Sequence, residues 1–122
     1  MLEEALKYFD DLDVVVSKMY VWLRTVLRVF HTLKPDSAGF SVTCNDFTVT
    51  FDKGHIFVNG IQFEFIYSYP EDYRDIVFKF IKNFDCIKEA VERTLEGYGL
   101  KEFLESAREE REVYRKFIES FS

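Results

Sequence analysis

Asp52, His55 and Glu64 come nearest to a reactive cluster in this chain of 122 residues. A two-residue turn at Lys53-Gly54 sets Asp52 opposite His55, and a second at Asn59-Gly60 sets His55 opposite Glu64. An imidazole between two carboxylates has the parts of a general acid–base pair, or of a His-carboxylate metal site. The surroundings argue for something plainer. The face carrying the trio is rich in Thr, no Ser or Cys nucleophile stands beside it, and no glycine-rich phosphate loop occurs. Opposite charges paired across strands are ordinary sheet stabilisers. The expectation is therefore a protein without catalytic residues and without a cofactor, with Asp52, His55 and Glu64 as its one candidate metal or acid–base site.

Two further clusters are defined by charge. His31 falls near Arg24, Arg28 and Lys34, with Trp22 close by, and forms a basic stripe suited to an acidic partner or nucleic acid. A solvated helix face explains the same residues. The acids Asp85, Glu89, Glu92, Glu96, Glu102, Glu105, Glu109, Glu110 and Glu112 run along the C-terminal third. Such a surface can imitate nucleic acid and occupy a nucleic-acid-processing protein. Glu105, Glu109 and Glu112 would carry that contact. A net charge of −6 disfavours direct binding to a phosphate backbone.

The elements that position these residues follow from periodicity. Leu2, Ala5, Phe9, Leu12, Val16, Met19, Leu23, Val26, Phe30 and Leu33 recur at heptad spacing, which predicts one helix over 2–34. Its acids lie early and its bases late, as the helix dipole favours. Pro35 ends it. The period then drops to two. Phe40, Val42, Cys44, Phe47, Val49 and Phe51 alternate with small polar residues. Asn45-Asp46, Lys53-Gly54 and Asn59-Gly60 separate the runs. Counting from three two-residue turns pairs Cys44 with Phe47, Phe51 with Ile56, Val58 with Ile61 and Ile56 with Phe63.

The prediction is a four-stranded antiparallel meander over 38–69, oily on one face and wet on the other. Phe57 and Ile66 are the apolar exceptions on the wet face. Ser68 to Glu71 reads as a capping box that starts a helix over 70–97. Gly97-Tyr98-Gly99 ends that helix, and a third covers 100–120. Helix, four strands, helix and helix give an α+β fold in a single domain, with the C-terminal helices on one face of the sheet.

Bulk composition sets the remaining limits. No apolar run is long enough for a membrane span. The acidic start MLEEALKYFDD does not resemble a secretion signal, so a cytoplasmic protein is expected. Two cysteines are too few for a disulfide scaffold and read as small buried hydrophobes. Three Asn, one Gln and many charged and aromatic residues resemble a thermophile's composition.

The long heptad helix overhangs strands of six residues, so its seam calls for a partner. A second copy of the chain is expected, bound through Met19, Trp22, Leu23, Val26 and Phe30. The edge strand 61–69, with Phe57, Phe65, Ile66, Tyr67 and Tyr69, is the other expected contact.

Overall fold

The computed structural model describes residues 11–107 and 119. The order is helix α1 (Leu12–Leu33), strands β1 (Gly39–Cys44), β2 (Phe47–Asp52), β3 (His55–Val58) and β4 (Ile61–Gln62), and short helix α2 (Phe63–Ser68). A 3-10 turn (Pro70–Tyr73) leads to α3 (Arg74–Lys82), α4 (Phe84–Gly97) and α5 (Leu100–Ala107). This is the expected α+β order of helix, antiparallel four-stranded sheet and helices.

The sheet has the register that turn counting gives. Cys44 faces Phe47, Val42 faces Val49 and Phe40 faces Phe51. Phe51 faces Ile56, Asp52 faces His55, and Val58 faces Ile61. Asn45 and Asp46, Lys53 and Gly54, and Asn59 and Gly60 all have positive φ, the geometry a two-residue type I′ turn demands. Val42, Cys44, Phe47, Val49, Phe51, Ile56 and Val58 are buried on one face. The other face is polar. There Ser41 bonds Thr50 at 2.9 Å and Thr43 bonds Thr48 at 3.0 Å, as cross-strand hydroxyl pairs.

Gly39 fixes how β1 begins. A methyl group there would lie 1.7 Å from the Phe51 carbonyl oxygen. Gly97, at the end of α4, has open space around the same position. Gly39→Ala is expected to cost about 2–3 kcal/mol, as overpacking against backbone does. Gly97→Ala is expected to be neutral or stabilising by up to about 1 kcal/mol. Urea denaturation of the two variants measures the difference, and equal stabilities would refute the close approach.

Three expected elements are redrawn. The helix predicted over 2–34 has an N-terminus at Leu12. Asp11 adopts non-helical φ and ψ, and its carboxylate accepts from the Val14 N–H at 3.2 Å. The heptad positions Leu2, Ala5 and Phe9 lie outside the described residues. At 22 residues α1 is about 33 Å long, much nearer the sheet's own dimension than the expected overhang.

The fourth strand stops after two residues, and the expected pairing of Ile56 with Phe63 is not made. Residues 63–68 wind into α2 instead. Phe63 and Ile66, three apart, would point to opposite sides of a strand. On a helix they share one face, and both are buried here. Ser68 consequently ends a helix rather than capping the next, and no capping box forms. Glu71 pairs with Arg74 at 3.0 Å.

The helix expected over 70–97 divides at Asn83. The Asn83 side-chain amide donates to the Lys79 carbonyl at 2.8 Å and its oxygen accepts from the Asn45 amide at 3.0 Å. A side chain that bonds backbone in this way competes with continuous winding. The break at Gly97 to Gly99 falls where the sequence places it. Of the last helix, 100–107 is seen, and 108–118 lie outside the described residues.

One core joins these parts. Phe80 packs near Trp22, Phe47 and Phe84, with ring centroids 5.8–6.4 Å away. Phe30 packs near Phe40 and Tyr98 at 4.8 and 5.8 Å. Both groups tie the sheet to α1 and to the later helices. A Cys44–Cys86 disulfide adds a covalent tie between the end of β1 and the first turn of α4, with Cα atoms 6.1 Å apart. The expectation of two free, buried thiols is corrected. Cys44 is buried, but Cys86 lies on the exposed side of α4, where the helix brings it over the β1–β2 tip.

Candidate functional site

The residues expected to react do meet in part. Hairpin register alone places Asp52 opposite His55. Glu64 arrives differently, from the first turn of α2 rather than from a strand. Its carboxylate lies 3.9 Å from His55 Nδ1, and the Gln62 amide approaches the same nitrogen at 3.4 Å. All three members of the trio are exposed. Among the described residues, no group of three or more His, Cys, Asp or Glu side chains is placed to hold a metal ion. The metal site expected at Asp52, His55 and Glu64 is therefore not assembled. Glu64 leaves the sheet with the chain at Phe63, so the ladder that would have aligned it with the other two ends one residue earlier.

The residues expected to face a partner separate into two sets. Met19, Trp22, Leu23, Val26 and Phe30 lie in this chain's own core. Leu12, Val15, Val16, Leu27 and Val29 are buried beside them, so α1 is covered over a face much broader than a two-position heptad seam. Those five have no surface to offer a second chain. Ile66 joins them in the core, for the helical reason given above.

Phe65, Tyr67 and Tyr69 remain outside, 52%, 48% and 60% exposed. Phe57 is half-buried on the outer face of β3. The helix turns Phe65 out. The edge strand 61–69 is reduced to Ile61 and Gln62, which leaves little backbone edge for another chain to extend.

One exposed residue of α2 meets an exposed residue of α1. The Tyr20 and Tyr67 rings are 5.1 Å apart, and Tyr20, Val14 and Val21 are exposed on α1. Periodicity assigns α1 a single apolar seam. It does not reveal the contact of Tyr20 with Tyr67, which exists because α2 folds back beside α1.

Two clefts open along α1, the second of them reaching Tyr20. One, of about 380 Å³, is lined by Arg24, Leu27, Arg28, His31, Thr32 and Gly54. The second, of about 200 Å³, adjoins it through Arg24 and Gly54 and adds Tyr20, His55, Ile56, Phe63 and Glu64. The basic stripe seen in the sequence thus lines a groove, and the Lys53-Gly54 turn forms its opposite rim. An Arg24 guanidinium nitrogen lies 3.5 Å from the Gly54 carbonyl oxygen across it. Of the acids expected to imitate nucleic acid, Glu105 is exposed on α5. Glu109 and Glu112 lie outside the described residues.

Comparison with protein-family models gave no match to this chain, and neither the curated proteins nor the solved structures gave one. Among the described residues no helix is long and apolar enough to cross a membrane.

Proposed function

We propose that the chain is a small non-enzymatic interaction or assembly protein that pairs with a second copy through the exposed aromatic residues of α2 and the adjoining Tyr20 of α1. The observation carrying this reading is the exposure of Phe65, Tyr67 and Tyr69 within a stretch of five residues, with Tyr67 against the exposed Tyr20 ring. Single exposed apolar residues are normal, but contiguous ones rimmed by polar groups mark contact sites. Aromatic side chains are the typical anchors of such sites. A patch that contains its own apolar complement suits a two-fold contact, in which the same residues meet from both sides.

Net charge gives the reading a distinctive signature. Two chains of charge −6 repel at long range, and salt screens that repulsion. Pairing through aromatic surface should therefore strengthen as salt rises. Light scattering at tens of micromolar is expected to give twice the 14.6 kDa of one chain, more completely at about 0.5 M salt than at 0.05 M. Phe65→Glu with Tyr69→Glu should return the mass to one chain without lowering the melting temperature. A wild-type chain that stays monomeric at both salt concentrations overturns the reading.

The expected cytoplasmic placement has to accommodate the disulfide. Intracellular proteins of hyperthermophiles do carry disulfides, so the bridge and the thermophile-like composition agree with each other in that compartment.

A further inference from the structure

We propose that the groove along α1 binds a nucleoside phosphate, with its phosphate against Arg24, Arg28 and His31 and its ring on the exposed face of Tyr20. The two readings share Tyr20, whereas the phosphate end at Arg24, Arg28 and His31 does not depend on the pairing reading.

Arg24, Arg28 and Thr32 follow one another at four-residue spacing, with His31 beside them, so they form one stripe of α1. Two like charges at this spacing destabilise a helix slightly unless something neutralises them. None of the ion pairs among the described residues involves Arg24 or Arg28. In a chain with 22 acids and 16 bases, two adjacent arginines left without a carboxylate are conspicuous. The guanidinium fork matches the geometry of phosphate oxygens, which can accept two parallel bonds from it.

The groove's second half selects what is attached to the phosphate. Beyond Arg24 the lining changes from cationic to apolar and aromatic. Tyr20 is 42% exposed and lies stacked toward Phe63, with centroids 6.3 Å apart and planes 26° from parallel. Phe63 and Ile56 are buried behind it, so a planar ring would lie on the exposed face of Tyr20. Glu64 and His55 stand at its rim and offer hydrogen-bond acceptors and donors to a sugar or base edge. The Glu64 carboxylate also repels an anion, which fixes the direction: phosphate toward His31, ring toward Phe63. The larger cleft alone, about 380 Å³, reaches the range of small-molecule sites.

Isothermal titration of the full chain with ADP, adenosine and pyrophosphate tests the assignment. ADP is expected to bind at sub-millimolar concentration, and each half-ligand about tenfold more weakly or worse. Arg28→Gln should weaken ADP at least about tenfold while leaving the melting temperature unchanged. Tyr20→Ala should weaken ADP but not pyrophosphate. No binding of ADP at about 1 mM overturns the proposal. Equal affinity for pyrophosphate and ADP also overturns it, because the ring would then contribute nothing. If Tyr20→Ala does not fold, Glu64→Gln serves for the ring end. It should change ADP affinity by a larger factor than pyrophosphate affinity, and no change in either refutes the placement.

Discussion

Reducing the Cys44–Cys86 disulfide is expected to lower the melting temperature by about 15 °C. The bridge joins residues 42 apart in sequence. Closing a loop of that length in the unfolded chain removes conformational freedom equivalent to about 4 kcal/mol at 25 °C in the chain-entropy account. A 122-residue domain unfolds with an entropy of roughly 250 cal/mol/K, so 4 kcal/mol corresponds to about 15 °C. Cys86 is on the surface, so a small phosphine can reach the bridge in the folded protein. Circular dichroism melts with and without reductant give the number. The Cys44→Ser, Cys86→Ser double variant should melt at the reduced temperature and ignore the reductant. Identical melts for oxidised and reduced wild type would show that the bridge contributes nothing.

Phe80→Ala is expected to cost about 4 kcal/mol. Phe80 is fully buried on α3, and the rings of Trp22, Phe47 and Phe84 stand within 6.4 Å of it. Those rings come from α1, β2 and α4, so the side chain sits where three elements meet. Truncating a buried Phe removes its transfer free energy and leaves a cavity the neighbours fill only in part, a loss of about 3–5 kcal/mol. Phe78, two residues earlier on the same helix, is 37% exposed with the Arg74 guanidinium over its ring. Phe78→Ala should cost about 1 kcal/mol or less. Urea denaturation of both variants separates the two faces of α3. Equal losses would mean that α3 is not seated as described.

What the sequence disclosed, and what it hid, follows from the range of the forces involved. Strand register was legible because period-two alternation and two-residue turns are local. Asn59-Gly60 fixes Val58 against Ile61 whatever the rest of the chain does. The end of β4 was hidden because Phe63-Glu64-Phe65-Ile66-Tyr67 satisfies alternation as well as it satisfies a helical turn. Burial of Ile66 beside α1 decides between them, and that is a tertiary effect. Likewise, the heptad pattern runs unbroken through Asp11. Nothing apolar marks the place where a carboxylate turns to cap Val14.

The candidate sites divide in the same way. Asp52 opposite His55 was readable from one turn, whereas Glu64 required knowing where the sheet stops. Arg24, Arg28 and His31 were readable as a basic stripe. That they line a groove depends on the Lys53-Gly54 turn, which lies some thirty residues away and meets them only in the folded chain. The disulfide was the most non-local feature and the least legible. Its partners come together because α4 crosses β1, and neither cysteine carries a local sign of the other.

The same bridge has a consequence for breakage. Residues 44 to 86 form a closed covalent ring containing three hairpin tips, α2 and α3. Exposed tips such as Asn59-Gly60 are where proteases cut. A single cut inside the ring opens it without severing the molecule. The nicked chain should migrate as one species without reductant and as two fragments with it.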